Sequence, residues 1–355
     1  MTLSKTAKTT SGNFFEDFRV GQTLPHPVPR TVTGGDVALH LALYGARFTF
    51  NCADPFAQSL GLPRAPIPDL LTFHIVVGKT VSDLSLNAVA NLGYADMRFH
   101  ALVYAGDTLG STSTVIGLKQ NTGGTSGIVY VHTVGLNQRG EAVLDFIRWV
   151  MVNKRDPQSP APDPVIPVVP ESVAADTLYV PMGLDAEGYD TSLSGSRFLW
   201  DDYEAGERID HIDGMTIEEA EHAMAARLYQ NTARVHTDDV AAKASRHGRR
   251  LVYGGYVMSL ARALSHNGLA NAFKIAAVNG ASHTAPAFAG HTVFAWTEVI
   301  DKAAMPGRTD FGALRLRTMA THDRPCADFP GRTGARTWHP SVLLDFDYWA
   351  LMPRR

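Results

Sequence analysis

The residues best suited to chemistry are His236 and, five positions before it, Asn231, within Gln230-Asn231-Thr232-Ala233-Arg234-Val235-His236. A histidine titrates near neutrality, so one held in a loop can take up or deliver a proton. An amide can orient a water through its donors and acceptor, but it is neither acid nor base. A bland reading competes at both positions. With 14 histidines in the chain, most are expected to be structural or solvated, and an asparagine in a loop often bonds its own backbone.

The elements around this run are readable. An amphipathic helical pattern over 217–228 leads into it, and the glycine pair Gly254 and Gly255 opens an apolar run over 256–267. The same order occurs earlier, with a short helix over 34–43 and an apolar helix over 70–84. Leu70, Leu71, Phe73, Ile75, Val76 and Val77 make the latter apolar nearly all round, which predicts burial. Four strand-like runs follow it, over 94–103, 107–118, 127–137 and 142–152, rich in Val, Thr, Tyr and Phe. One buried helix followed by successive antiparallel strands predicts an α+β unit with a sheet wrapped around the helix.

The chain repeats itself. Phe15 to Gln22 resembles Trp200 to Glu207 at an offset of 185, which also aligns Leu43 with Leu228, Tyr44 with Tyr229 and Ala57 with Ala242. Ala105-Gly106-Asp107-Thr108 matches Ala289-Gly290-His291-Thr292, and Leu144-Asp145-Phe146 with Trp149 matches Leu344-Asp345-Phe346 with Trp349. The last offset is larger, which predicts an insertion in the second copy within 321–339. Between the copies, six prolines over 157–170 favour an extended strap that could reach about 43 Å. The expected organisation is an N-terminal domain over 1–156, a Pro-rich linker over 157–175 and a C-terminal domain over 176–355.

Composition excludes several classes. The 355 residues carry a net charge of −3, which gives no reason to expect nucleic acid or an acidic membrane surface as partner. Cys52 and Cys326 alone support neither a disulfide framework nor a cysteine metal site. No paired histidines at helical spacing and no strand followed by Gly-x-Gly-x-x-Gly suggest a metal or a cofactor, so none is expected. Residues 1–13 are polar and no window is long and apolar enough to span a bilayer, so a cytoplasmic protein is expected.

These motifs resemble the MaoC-like, or hydratase 2, enoyl-CoA hydratases in their double hot-dog form, over nearly the whole chain. His236, Ala242, Gly255, Pro286 and Gly290-His291-Thr292 carry the resemblance in the second copy, and Ala57 with Gly106-Asp107-Thr108 in the first. The resemblance implies a double hot-dog fold and a CoA thioester substrate. The pattern is most similar to a branch that reversibly hydrates a short, branched enoyl-CoA diacid. It also implies that His236 is the acid/base and that the Gly255 N–H holds the thioester oxygen, with Gly254 as the fallback.

The departures sharpen this. The family places an aspartate where this chain has Asn231, and the first copy has Ala46 and Asn51 at the two positions. One active site per chain follows, with the first copy as scaffold. A second proton-handling group must be His236 itself with water, or a carboxylate such as Asp238, Asp239 or Asp69. A diacid needs a cation for its far end, for which Arg234 and Arg64 are candidates, because arginine binds carboxylates bidentately. Arg249 and Arg250 are candidates for the CoA phosphates. His291 is read as a strand-start residue and His222 as packing. A hot-dog thioesterase and a non-catalytic acyl-CoA-binding module are the competing functions, and a homo-oligomer, dimer or higher, is expected.

Overall fold

The computed structural model describes residues 8–335 and 337–355; residues 1–7 of the polar N-terminal stretch and Arg336 lie outside the described residues. The first copy contributes β1 (Thr23–Thr31), β2 (Ala88–Phe99), β3 (Thr108–Gln120), β4 (Ser126–Leu136) and β5 (Ala142–Asn153). The second contributes β6 (Arg208–Thr216), β7 (Lys274–His283), β8 (Thr292–Ala304) and β9 (Phe311–His322). It also adds a small β10–β11 ribbon (Arg332–Gly334 and Thr337–Trp338) and β12 (Val342–Pro353). Ten strands form one antiparallel sheet in the order β1-β3-β4-β5-β2-β7-β12-β9-β8-β6. Read from either end, the order is the same path through one copy. The copies meet where β2 pairs with β7, Tyr94 opposite Ala281 and Arg98 opposite Ala277.

Each copy therefore has five sheet strands, one more than the four strand-like runs. The additional one, β1 or β6, lies at an edge of the sheet. In β1 the residues Pro25, Pro27 and Pro29 hide a strand from propensity, yet proline is tolerated at an edge where its missing N–H faces no partner. Strand β2 starts at Ala88, six residues before the predicted run, and ends at Phe99. The insertion lies between β9 and β12 and carries the β10–β11 ribbon, where the first copy has only a short turn between β4 and β5.

Two central helices, Asp69–Thr80 and Gly254–Leu264, lie against the sheet, with every residue from Leu70 to Thr80 and from Gly255 to Leu264 buried. They share one apolar core: Phe73, Tyr94 and Phe146 of the first copy join Leu260, Val278 and Phe346 of the second. Burial across the join therefore adds to burial within each copy. Equivalent residues meet across a pseudo-twofold axis. The Tyr44 and Tyr229 hydroxyls are 2.8 Å apart, and His74 Nε2 is 2.8 Å from Ser259 Oγ. At Gly78 the first central helix touches the loop of the other copy so closely that a Cβ would lie 1.7 Å from the Tyr229 carbonyl oxygen.

The Pro-rich segment runs from one copy to the other. Val165 bridges to Leu118 in β3, and Val173 receives a bond from Trp349 in β12 while its own N–H donates to Asn279.

Candidate active site

The helix Glu219–Leu228 ends where Gln230 adopts a left-handed backbone, φ 54°, which turns the chain sharply. A single helical turn, Arg234–Thr237, then presents His236. His236 Nδ1 lies 2.9 Å from the Leu251 carbonyl oxygen. A carbonyl can only accept, so Nδ1 carries the hydrogen and Nε2 keeps its lone pair. Burial pushes the His236 pKa down to about 4, against the raising effect of the Leu251 bond and with help from the nearby Arg148 charge. The imidazole is therefore neutral at pH 7, with a free basic nitrogen.

Leu251 begins the approach to the second central helix, so the contact that fixes the imidazole also places it near the helix start. Gly254 and Gly255 are the first two residues of that helix. Backbone N–H groups there have no intrahelical acceptor and face a partly positive helix end. Side-chain packing explains why both are glycine. A Cβ on Gly254 would lie 2.4 Å from the His283 ring, and one on Gly255 would lie 2.5 Å from the rings of His74 and Tyr253. The Tyr253 ring centroid is 5.7 Å from that of His236, and His222 is 6.0 Å away on another side. His222 Nε2 accepts the Tyr253 N–H at 2.9 Å, which makes it a buried brace of the helix start.

Asn231 is buried, and its Oδ1 accepts the Ala233 N–H at 3.2 Å. That bond closes the loop ahead of His236. The carboxylates weighed as replacements for the family aspartate are otherwise engaged. Asp238 caps the helix Asp239–Lys243 through the Val240 and Ala241 N–H groups, and exposed Asp239 pairs with Lys243 at 2.7 Å. Asp69 is bonded to Lys274 and to the Ile275 N–H, and it lines a cavity of the first copy with Ala46 and Asn51.

The predicted arginines are placed differently from one another. Arg64 donates to the Ala105 carbonyl and lies over the Tyr104 ring, while Arg249 donates to the Ala289 carbonyl and lies over Phe288. They are equivalent residues making equivalent contacts, each pinning the turn before a strand, a shared structural task. Arg250 pairs with Glu219 at 2.6 Å beside His222. Arg234 is exposed on the turn that carries His236. His291 stacks on His322, ring centroids 4.4 Å apart, with Asp323 beside them at the start of β8.

Three residues near His236 escaped sequence reasoning: His283 at the end of β7, Tyr94 in β2 and Arg148 in β5. The His283 and Tyr94 ring centroids are 6.2 Å apart, and Arg148 lies 5.9 Å from the Tyr94 ring. Burial pushes the His283 pKa to about 4, with His236 and Arg148 adding to the effect. Strand alternation holds a signal for Arg148. It shares a face with Leu144, Phe146, Val150 and Val152, all core residues, so a charge there is out of place unless used.

A family profile described as mesaconyl-CoA hydratase matches residues 1–338. The chain is 62% identical to β-methylmalyl-CoA dehydratase of Chloroflexus aurantiacus, over 98% of this chain and 99% of that protein. It is 56% identical to mesaconyl-CoA hydratase of Cereibacter sphaeroides, over 98% and 100%. A crystal structure of a MaoC domain dehydratase from Chloroflexus aurantiacus superposes with a TM-score of 0.96 at 62% identity, covering 99% of this chain and 100% of that one. A Mycobacterium tuberculosis protein with a double hot-dog fold superposes at 0.76 with 24% identity, over 97% and 99%, a likeness of fold alone. With its duplicated hot-dog sheet and a match over nearly its full length, the chain belongs to the mesaconyl-CoA hydratase family of MaoC-like proteins.

Proposed function

We propose that the protein is a hydro-lyase that reversibly hydrates mesaconyl-CoA to β-methylmalyl-CoA. The observation that carries the mechanism is the neutral His236, with Nδ1–H held by the Leu251 carbonyl and Nε2 free beside a helix start. In the hydration direction, Nε2 takes a proton from water as the hydroxyl bonds to the β-carbon. The electron pair of the double bond moves onto the thioester, whose oxygen becomes an enolate held by the Gly255 N–H, with the Gly254 N–H alongside. The imidazolium then returns its proton to the α-carbon. One histidine balances both transfers. The engagement of Asp69, Asp238 and Asp239 elsewhere supports this over a carboxylate partner.

Purified protein mixed with mesaconyl-CoA should lose the enoyl-thioester absorbance without releasing free thiol. Thiol release without hydration would replace this reading with thioester hydrolysis. The two unpaired cysteines, one exposed and one buried, fit a reducing, cytoplasmic setting. The division at 1–156, 157–175 and 176–355 is proposed from the repeat and the strap. A homo-oligomer, read by light scattering, is proposed from symmetry preference alone.

A further inference from the structure

Arg148 is a buried cation in β5, and among the described residues it has no carboxylate partner. Its bonds go to neutral oxygens: Nε to Asn91 Oδ1 at 2.6 Å, Nη1 to Thr80 Oγ1 at 2.9 Å and Nη2 to Ser85 Oγ at 3.2 Å. A guanidinium has five N–H donors, and these bonds use three. Nη1 and Nη2 each keep one for a further acceptor, and a carboxylate offers two oxygens to such a pair.

Buried charge without a counterion is costly, and buried polar atoms without partners are uncommon. Both occur together here. Among the described residues, buried side-chain atoms lacking a partner include Asn91 Nδ2, Tyr94 Oη and His283 Nε2. Asn91 bonds Arg148, Tyr94 pairs with Arg148 across β2 and β5, and the Tyr94 ring meets His283 edge-on. His283 in turn covers Gly254, at the start of the helix that faces His236. The unpaired groups are therefore linked by successive contacts from the guanidinium to the start of the second central helix.

The matching position in the second copy is Tyr348, which is uncharged. The charge was placed on one side of the duplication only, the side adjoining the histidine.

We infer that Arg148 binds the distal carboxylate of a dicarboxylic acyl-CoA through its free Nη1 and Nη2 hydrogens, with Tyr94 and Asn91 as supporting donors. It thereby selects diacid over monoacid thioesters. The inference deepens the proposed reaction and rests on its diacid substrate. It displaces Arg234 and Arg64, which lie exposed, the first on the short helical turn of His236 and the second in a loop.

The test uses binding without turnover. Succinyl-CoA and butyryl-CoA are saturated thioesters of equal chain length that differ in a terminal carboxylate. Calorimetric titration should show at least about tenfold tighter binding of succinyl-CoA to the unaltered protein, the scale of hydrogen bonds to a charged group. Arg148→Gln should erase that preference and leave butyryl-CoA binding unchanged. Arg148→Lys keeps the charge but not the fork, so the preference should fall by about threefold or more. It covers the case in which the Gln variant does not fold. No preference in the unaltered protein, or an undiminished one in the Lys variant, overturns the inference. Hydration of mesaconyl-CoA with no carboxylate preference would overturn this site alone. A preference without hydration would overturn the reaction alone.

Discussion

In the second copy, His236 Nδ1 meets the Leu251 carbonyl at 2.9 Å; in the first, Asn51 Nδ2 donates to the Pro66 carbonyl at 3.1 Å. These are equivalent residues bonding equivalent carbonyls, so the first copy keeps the bond that shapes the loop without an imidazole. The helix starts differ in the same way. Where the second copy opens on Gly254, the first opens on Asp69, a carboxylate tied to Lys274. That side chain and its partner stand where the other half has a glycine. The cavity left in the first copy is about 40 Å³, lined by Tyr44, Ala46, Asn51, Asp69 and Arg262 among others, room for a few waters. Arg262 is spent there on the Phe48 ring and the Ala272 carbonyl. The comparison separates two demands on one loop. An amide satisfies the structural demand, and of the two side chains only an imidazole can serve as the proposed base.

Several substitutions would test this. His236→Ala should slow hydration by about 10²–10⁴-fold, the usual contribution of a positioned base, measured as initial loss of enoyl absorbance. Asn51→His in that background should not restore it, because Asp69 occupies the helix start; recovered turnover would break the comparison. Gly255→Ala should reduce turnover strongly and destabilise by about 1–3 kcal/mol, since its Cβ would press on His74 and Tyr253. Thermal melts and rates together would check it. Leu70 stands at the equivalent position in the first copy, and Leu70→Gly should cost stability through lost burial while adding no activity.

Acid should act on both halves. Burial pushes His40 and His222 down to about 3 and His211 to about 4, all below their unfolded value. Below about pH 6.5 the unfolded chain binds more protons, so stability falls as pH falls until each folded value is passed. Each such histidine contributes a slope of about 1.4 kcal/mol per pH unit in that window. Melting temperature should therefore drop steeply between pH 6.5 and 4. Initial rates should stay level from pH 8 towards 5, because His236 protonates only near 4. A rate limb near pH 6.5 would contradict the neutral imidazole. The smallest effect is expected from Asn51→Ala: about 1 kcal/mol of stability in a denaturant melt, with turnover unchanged.

The duplication and the buried central helices were legible because each leaves a local mark: a repeated motif and an all-apolar helix; His236 and the glycine pair carry the mark of family spacing, and their roles are the ones proposed above. The edge strand β1 was not, because Pro25, Pro27 and Pro29 carry the opposite propensity and only an edge position permits them. His283, Tyr94 and Arg148 were missed for another reason. They lie far from His236 in sequence and reach it through the β2–β7 and β2–β5 pairings, which no local pattern encodes. Arg64 is a sequence candidate for the distal carboxylate and Arg249 for the CoA phosphates. Their matched contacts in the two copies show arginines that hold turns.

The β2–β7 join has a consequence for how this site behaves in dilute solution. His236 and Gly254 come from one copy, while Tyr94 and Arg148 come from the other, and a continuous backbone links them. A site built between separate chains would come apart by mass action as protein concentration fell. Here the partner's effective concentration is set by the covalent link and does not change on dilution. Specific activity should therefore hold constant into the nanomolar range, and mutations in one half are never copied into the other. That freedom is what allowed a histidine and an asparagine to occupy the same place in one molecule.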